Sequence, residues 1–459
     1  MKDYRSYSFW LDDVPEPLEP RASLLGPLDV DVAIVGAGFT GLWTAYYLAK
    51  ADPHLRVAVL EKEVAGFGAS GRNGGWCSPF NEELDSGALL KRAGREPARA
   101  AALALIDTVD EVGRVAAAEG IDAAYHKGGY LGVVTTPPQE PRLRATLARM
   151  RALGLGEEHY AWLGGDEMRA RVRLSRCLGG ISSSDCASVH PGRLARGLAA
   201  TVERAGVTIY ERTPALAIRP HAVETPAGVV KAGVVVRGTE GYTASLPGSA
   251  RAIAPIYTFV IGTEPLPDAF WDEVGWGGRE TFLDGRRAIF YALRTRDDRI
   301  VIGGLRYPYH FGSGIADRFD RDERCFAGLQ ALLVDLLPAA AGAAVTHRWG
   351  GLVGVPRDFA TGIGFDRAAG FAWAGGYIGD GVSTTNLAGR TLRDLILDRS
   401  SELTGLPWVG YRSRLWEPEP LRWIAVRTTN GLMSRADRRE ARTGTPARLS
   451  GTIADFLGG

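Results

Sequence analysis

The sequence predicts an α/β protein that contains two kinds of sheet. Short, wholly apolar runs at 32–35, 57–60 and 232–236 are separated by helical patterns, which is typical of buried parallel strands. Between 251 and 304 the apolar runs are longer and more aromatic, which favours an antiparallel or mixed sheet. At 459 residues the chain is also too long for one small core, so we expect two domains.

A glycine-rich turn follows the first apolar run. Gly36, Gly38 and Gly41 have the G-x-G-x-x-G spacing, and the next run ends at Glu61, 20 residues beyond Gly41. These glycines allow a tight turn, close approach of backbone to a pyrophosphate, and packing of helix on strand, while the acidic residue binds a ribose. The glycines alone would fit an ordinary turn. With Glu61 in place, the sequence predicts a Rossmann-like dinucleotide-binding domain.

Glycine is also dense in the loop at 62–75, where Ser70, Arg72 and Asn73 are interleaved. Such a loop is either flexible or approaches a ligand closely. Because it directly follows the strand that ends at Glu61, we favour contact with the ligand.

Composition excludes several classes of function. Lys and Arg total 54 against 53 Asp and Glu, a balance that argues against nucleic acid or an anionic membrane as the partner. Four dispersed cysteines and seven dispersed histidines show neither a disulfide pattern nor metal-ligand spacing, so no metal is expected. Without a signal peptide or a membrane-length apolar run, we expect no membrane span and a cytoplasmic location.

The remaining chain alternates helices and strands. An irregular arm is expected over 1–29, helices over 86–120, 140–151, 191–205 and 317–337, and strands over 128–135 and 206–210. The helix at 191–205 with its following strand suggests a return to the parallel sheet. Near the carboxyl terminus, a strand and glycine turn over 371–386 open a helix to about 398. A basic helix through 442 is interpreted as solvated rather than as a membrane anchor.

Three of these stretches together resemble the D-amino-acid-oxidase-like superfamily of FAD-dependent oxidoreductases. They are the unit from Gly36 to Glu61, the loop at 68–75 (GASGRNGG) and the turn at 375–382 (GGYIGDGV). The form of the loop is most similar to the γ-glutamylputrescine oxidase branch. The resemblance covers about 31–398 and implies FAD as the cofactor.

The resemblance implies cofactor-binding roles for residues at matching positions: Gly36, Gly38, Thr40, Gly41, Glu61, Lys62, Ser70, Arg72, Asn73, Gly74, Gly75, Ala215, Gly376, Gly379, Asp380, Gly381 and Val382. Ala215 would meet the adenine, and 379–382 the pyrimidine edge of the flavin. A helix start at this turn would stabilise the negative charge of reduced flavin. Asp380 stands where the family often has His, and a carboxylate there would oppose that charge unless it points away.

The electron acceptor stays open at this point. No lysine follows Lys231, so the lysine that sarcosine oxidases use to activate oxygen, on a strand resembling 299–304, is missing. Oxygen or another acceptor therefore remains possible. No second dinucleotide motif is visible for NAD. Arg72-Asn73 replaces the histidine-bearing form of the loop and no cysteine lies near the second turn, so non-covalent FAD is expected.

Candidates for the substrate pocket are less specific than those for the cofactor. They follow or lie on the aromatic strands: Tyr257, Tyr291, Arg306, Tyr307, Tyr309, His310, His347, Arg348 and Trp349. Arg306, His310, His347 and Trp349 are the proposed catalytic residues, with Arg306 able to hold an anion through two hydrogen bonds. For each, a packed aromatic or surface arginine is an equally good interpretation.

We therefore expect a discontinuous FAD-binding domain at 1–85, 180–245 and 350–400. A substrate domain with a mixed or antiparallel sheet would occupy 86–179 and 246–349, followed by a helical tail at 401–459. The expected reaction is oxidation of a C–N bond in a small amine or amino acid. The alternatives are a dehydrogenase that passes electrons to a quinone or protein, or acts on a C–O bond, and a flavin-binding protein without turnover.

Overall fold

The computed structural model describes residues 2–447. Its strands are β1 (Leu28–Val35), β2 (Val57–Leu60), β3 (Trp76–Cys77), β4 (Tyr130–Val133), β5 (Ala161–Gly164), β6 (Gly179–Ser183), β7 (Ala187–Ser188), β8 (Thr208–Tyr210), β9 (Ala217–Arg219), β10 (Ala222–Thr225), β11 (Gly228–Arg237), β12 (Ala254–Thr263), β13 (Thr281–Asp284), β14 (Phe290–Arg294), β15 (Ile300–Gly304), β16 (Val345–Val355), β17 (Gly362–Asp366) and β18 (Phe371–Gly375). Its α-helices are α1 (Phe9–Asp12), α2 (Phe39–Ala51), α3 (Glu82–Ser86), α4 (Ala88–Ala93), α5 (Arg95–Ala118), α6 (Glu140–Ala152), α7 (Gly165–Arg171), α8 (Pro191–Arg204), α9 (Asp268–Val274), α10 (Glu323–Leu336), α11 (Gly381–Ile396) and α12 (Leu421–Thr443).

The first sheet confirms the predicted α/β class. Its strands lie in the order β17-β18-β11-β1-β2-β8, and all but β17 run parallel along this path. Strand β8 follows α8 and pairs with β2, so the chain returns to the parallel sheet as expected. Parallel strands place their carboxyl ends at one edge, and ligands of open α/β sheets bind there.

The second sheet is mixed, also as predicted. Its order is β16-β12-β15-β14-β13-β4-β6-β5, with β13 and β4 parallel and the other neighbours antiparallel. Helix α10 packs on one face, where Phe326 meets Phe259. The other face carries Val260, Leu293 and Trp349, which belong to a cluster with the aminoterminal residues. The candidate site described below lies on the face of the sheet that carries these three residues.

The aminoterminal arm is more ordered than expected. A 3-10 turn (Tyr4–Tyr7) and α1 replace the predicted irregular chain, and Phe9 and Trp10 are buried. The indole N–H of Trp10 donates to the carbonyl oxygen of Asn73 at 2.7 Å. The prediction was wrong because the aromatic residues of the arm bury themselves against the glycine-rich loop.

The basic helix near the carboxyl terminus is α12, and it is not simply solvated. Arg422 and Glu440 are buried, and Glu440 pairs with Arg287 at 2.8 Å and Arg142 at 3.0 Å. The solvated interpretation was wrong at these positions because ion pairs tie the helix to the second sheet. No helix in 2–447 is long and apolar enough to cross a membrane. Residues 448–459 of the predicted tail lie outside the described part.

The division into two domains remains our proposal. Strands β1, β2, β8, β11 and β18 lie within the proposed FAD-binding segments. However, β6 and the last residues of β16 belong to the second sheet, beyond the proposed boundaries at 180 and 350. The sheet to which a boundary strand belongs is decided by its pairing partner, and β6 and β16 pair with β4 and β12, far away in the sequence.

Candidate cofactor and active site

The turn after β1 can be built only with glycine. Gly36 has φ +102°, and a side chain there would lie 2.8 Å from the carbonyl oxygen of Gly238. A side chain on Gly41 would overlap the carbonyl oxygen of Gly36. Helix α2 therefore starts directly against the ends of β1 and β11, and its N-cap residue, Gly38, has no side chain to cap it. This is the arrangement that holds a pyrophosphate.

Two contacts of the α2 start join it to neighbouring loops. The Oγ of Ser70 accepts the N–H of Phe39 at 2.7 Å. A side chain on Gly38 would lie 3.0 Å from the same Oγ. The hydroxyl of Thr40 lies 3.1 Å from that of Tyr377 in the second glycine turn. Ser70 and Thr40 thus connect the start of α2, the predicted phosphate site, to the two neighbouring loops.

Glu61 at the end of β2 has the environment of a ribose-binding carboxylate. It accepts N–H groups from Ala37 at 2.7 Å and Glu63 at 2.9 Å and has no cationic partner among residues 2–447. Burial raises the pKa of Glu61 to about 7. Its remaining lone pairs can accept hydroxyl groups. Ala215 lies two residues beyond Thr213, whose N–H donates to the Glu61 carbonyl at 2.7 Å, so an adenine position there is consistent with the fold.

Lys62 is exposed, and its side chain forms no hydrogen bond or ion pair with any residue in 2–447.

The side chains of Arg72 and Asn73 form hydrogen bonds within the protein and are therefore not free to bind a cofactor. Arg72 is fully buried, pairs with Asp320 at 2.9 Å and donates to the Tyr242 hydroxyl at 2.7 Å. The side-chain oxygen of Asn73 accepts the N–H of Gly75 at 2.8 Å, a hydrogen bond within the loop itself. We therefore assign both side chains a structural role within the loop. We expect Gly74, Gly75 and the loop backbone to contact the cofactor.

The second glycine turn lies between β18 and α11. Gly376 and Gly379 have φ +82° and +110°, and the space around Gly379 is open. The buried carboxylate of Glu240, which sequence reasoning missed, accepts the N–H groups of Gly376 at 3.1 Å and Tyr377 at 3.3 Å. No side chain caps α11 at Asp380, so the first N–H groups of the helix at Gly381 and Val382 can serve a ligand. A helix N-terminus with free N–H groups stabilises negative charge on a ligand bound there.

The Asp380 carboxylate lies against Ser78, the residue that follows β3. It accepts the hydroxyl of Ser78 at 3.1 Å, and burial raises its pKa to about 6. Two predicted pocket residues, Tyr291 and Tyr307, are near enough for its charge to add to the rise in their pKa that burial causes. The Tyr291 ring also packs on Gly74 and Gly303, where any side chain would strike it. Tyr291 therefore packs against the glycine-rich loop, whereas the Tyr307 hydroxyl donates to the Ile289 carbonyl at 2.6 Å.

The four residues predicted to be catalytic do not form one cluster. His347 pairs across the sheet with Gly262, whereas Tyr309, next to His310, bridges to Ile256 at the other end of β12. Six residues of strand separate these positions by roughly 20 Å. A shared pocket for both histidines was a wrong expectation, since sequence distance does not show strand register.

Each of the predicted pocket residues described next contacts a different part of the protein. Arg306 is half exposed and pairs with Asp322 at 3.2 Å. His310 stacks on Phe319 with ring centres 3.5 Å apart, and Tyr257 lies on the α10 face of the sheet. His347 pairs with Asp12 of the arm at 3.2 Å beside the exposed Arg348.

Trp349 is buried, packs on Trp10 and donates to the Arg72 carbonyl at 2.9 Å. Tyr309 is buried and donates to Glu419 at 2.5 Å. Both side chains are therefore engaged by other parts of the protein, which leaves Tyr291, packed on Gly74, as the pocket candidate that the structure supports.

Sequence reasoning also missed Ser78, which follows the glycine-rich loop and donates its hydroxyl to Asp380. A lone serine carries no pattern that would have marked it. In residues 2–447 no group of three His, Cys, Asp or Glu side chains could hold a metal ion.

The fold and this edge define a dinucleotide-binding oxidoreductase whose glycine turns, ribose carboxylate and uncapped helix starts fit FAD. A family model described as FAD dependent oxidoreductase matches residues 31–395. The chain belongs to this family, and FAD is its non-covalently bound cofactor.

Named relatives cover most of the chain. It is 30% identical to the probable oxidoreductase OrdL of Rhizobium meliloti, over 86% of this chain and 90% of that protein. It is 27% identical to gamma-glutamylputrescine oxidoreductase of Escherichia coli, over 86% and 91%. The crystal structure of glycine oxidase from Geobacillus kaustophilus superposes with a TM-score of 0.68 at 23% identity, over 84% of this chain and all of that one (100%).

Proposed function

We propose that this protein oxidises a C–N bond of a primary or secondary amine or amino acid to an imine, which water then hydrolyses. The observation that carries the proposal is the half-buried Asp380 carboxylate at the start of α11, held by Ser78, at the same sheet edge as the glycine-rich loop on which Tyr291 packs. A half-buried carboxylate attracts an ammonium group, which a neutral or hydroxy-acid substrate does not offer. By their names, gamma-glutamylputrescine oxidoreductase and glycine oxidase act on an amine and an amino acid.

Each residue has a separate part in this proposal. When bound, FAD supplies the acceptor for the hydride from the substrate carbon. Asp380 binds the ammonium and, with a pKa of about 6, takes the proton that the nitrogen must lose before its lone pair can assist C–H cleavage. The ring of Tyr291, which packs on Gly74, excludes water and orients the substrate. Glu240 holds the turn that carries Asp380.

The test is anaerobic reduction of the bound flavin by a panel of amines, amino acids and hydroxy acids. We expect bleaching by amines, with Asp380→Asn raising the apparent substrate Kd by about tenfold because a charged contact is lost. The matched control is Asp398→Asn, since Asp398 is exposed and paired with Arg367. Bleaching by hydroxy acids and by no amine would replace C–N with C–O oxidation; no bleaching by any compound would point to a protein without turnover.

The identity of the electron acceptor requires a separate experiment. Strand β15 carries no lysine, and Arg306, His310, His347 and Arg348 face elsewhere, so we expect slow reoxidation by air and faster reoxidation by a soluble quinone. Neutral replacements Arg306→Met, His310→Gln, His347→Gln and Arg348→Met should leave the rate with oxygen within about twofold of the parent. Stopped-flow mixing of reduced enzyme with each acceptor measures this. Fast oxygen reaction that any one replacement abolishes would assign the missing cation to that residue.

A further inference from the structure

Helix α12 separates its charged residues onto two sides. At about 3.6 residues per turn, its large exposed side chains share roughly one third of the circumference; they are Leu421, Ile424, Arg427, Arg435, Arg438, Arg439 and Arg442. We call this stripe the outer face of α12. The acidic residues of the helix lie on the opposite side, where Glu440 pairs with Arg287 and Asp437 accepts the N–H groups of Arg287 and Ala288.

The outer face of α12 carries positive charge that no neighbour neutralises. None of its arginines forms an ion pair with another residue in 2–447, and Arg427 lies over the Trp423 ring, 4.6 Å from its centre. Glu419, which precedes the helix, is turned inward, since it pairs with the buried Arg422 at 3.1 Å. The near balance of charge over the whole chain therefore does not hold on this face.

Exposed apolar side chains adjoin these arginines. Leu421 and Ile424, three residues apart at the start of the helix, are 58% and 49% exposed, and Phe311 is 61% exposed. The Phe311 ring lies 6.4 Å from that of Trp423, which places it beside the same end of α12. Neighbouring large apolar groups left in water mark a surface that binds a partner.

The combination of arginines with exposed apolar groups selects the kind of partner. A nucleic acid backbone would use the arginines but leave Leu421, Ile424 and Phe311 in water. A second copy of the chain, packed on this face about a two-fold axis, would set arginines against arginines. An anionic lipid bilayer meets both features, because its headgroups attract arginine and its interface accepts leucine, isoleucine and phenylalanine side chains.

We propose that the outer face of α12 docks the protein on the surface of an anionic lipid bilayer. The helix lies along the membrane plane, with its arginines among the lipid phosphates and with Leu421, Ile424 and Phe311 at the depth of the headgroups. Charge and apolar area each contribute modestly, so the docking is reversible and sensitive to salt. Docking is independent of which substrate the active site oxidises.

The experiment is sedimentation of the holoenzyme with lipid vesicles. Vesicles of phosphatidylcholine containing about 30% phosphatidylglycerol are compared with vesicles of phosphatidylcholine alone. We expect binding to the anionic vesicles only, with release when NaCl is raised from about 0.05 M to about 0.5 M. The pair Arg438→Gln and Arg442→Gln should weaken binding at least about tenfold, and the pair Leu421→Ser and Ile424→Ser about fivefold or more.

The matched control is the pair Arg321→Gln and Arg324→Gln, which removes the same charge from exposed arginines that also form no ion pair in 2–447. It should bind vesicles as the parent does. FAD content and unfolding temperature report whether each variant is folded.

Three outcomes would overturn the docking. The first is no binding to anionic vesicles at low salt. The second is an equal loss of binding in the control pair, which would show general attraction of the protein rather than a role for α12. The third is binding that the serine pair leaves unchanged and that soluble heparin reproduces, which would assign the face to a polyanion. Flavin reduction by amines is measured separately, so none of these outcomes bears on the proposed function.

Discussion

Gly41→Ala is expected to abolish retention of FAD and to destabilise the protein. The added carbon would overlap the Gly36 carbonyl oxygen and lie 3.1 Å from the Ile34 side chain, so α2 must move away from β1. Forcing an extra methyl group into packed backbone costs about 1–3 kcal/mol or more. The same movement takes the helix start away from the phosphates. The flavin-to-protein absorbance ratio after gel filtration, together with thermal unfolding, measures both effects.

The control for this substitution is Gly431→Ala in α12. A side chain at Gly431 meets nothing within 4 Å, and the position is inside a helix. Alanine should therefore leave FAD content unchanged and be neutral or stabilising by about 0.5–1 kcal/mol. Normal FAD content in Gly41→Ala would show that α2 can shift without loss of the site, and would remove this turn from the cofactor assignment.

Glu61→Ala is expected to raise the Kd for FAD by at least roughly tenfold. The carboxylate is already held by the N–H groups of Ala37 and Glu63, so it is pre-oriented for the ribose hydroxyls. Hydrogen bonds to a charged group contribute about 1.5–3 kcal/mol each. Titration of apoprotein with FAD, followed by flavin fluorescence, gives the Kd. Glu224→Ala is the control, because the exposed side chain of Glu224 pairs with the exposed side chain of Arg219.

A pH profile separates a ribose contact from a general loss of structure. Burial raises the pKa of Glu61 to about 7 in the protein without ligand, and hydroxyl donors stabilise the ionised form. FAD affinity should therefore rise as pH increases toward 7 and level off above it, whereas Glu61→Ala should show a flatter profile. A parent profile with no slope in this range would place the ribose elsewhere.

Much of the fold follows from local sequence. The spacing of Gly36, Gly38, Gly41 and Glu61 specifies a turn and an acidic strand end a fixed distance apart, and the structure has both. The aromatic runs of β12 and β14 correctly predicted a sheet with antiparallel pairs, because strand type depends on composition over a few residues.

The ordering of the arm and the burial of α12 were not predictable in the same way. The side chains that decide them, such as Trp10 and Glu440, find their partners more than sixty residues away along the chain. No local pattern carries that information.

The sequence by itself therefore determined the class of cofactor, the motif that binds it and the absence of a lysine on β15. Only the tertiary structure decided what surrounds the reacting space. It separated His310 from His347 through strand register, bound the Arg72 side chain to Asp320, and brought Ser78 against Asp380 at the start of α11. The physical reason is that charge and burial at a site are sums over distant segments, whereas a glycine turn depends on its own backbone.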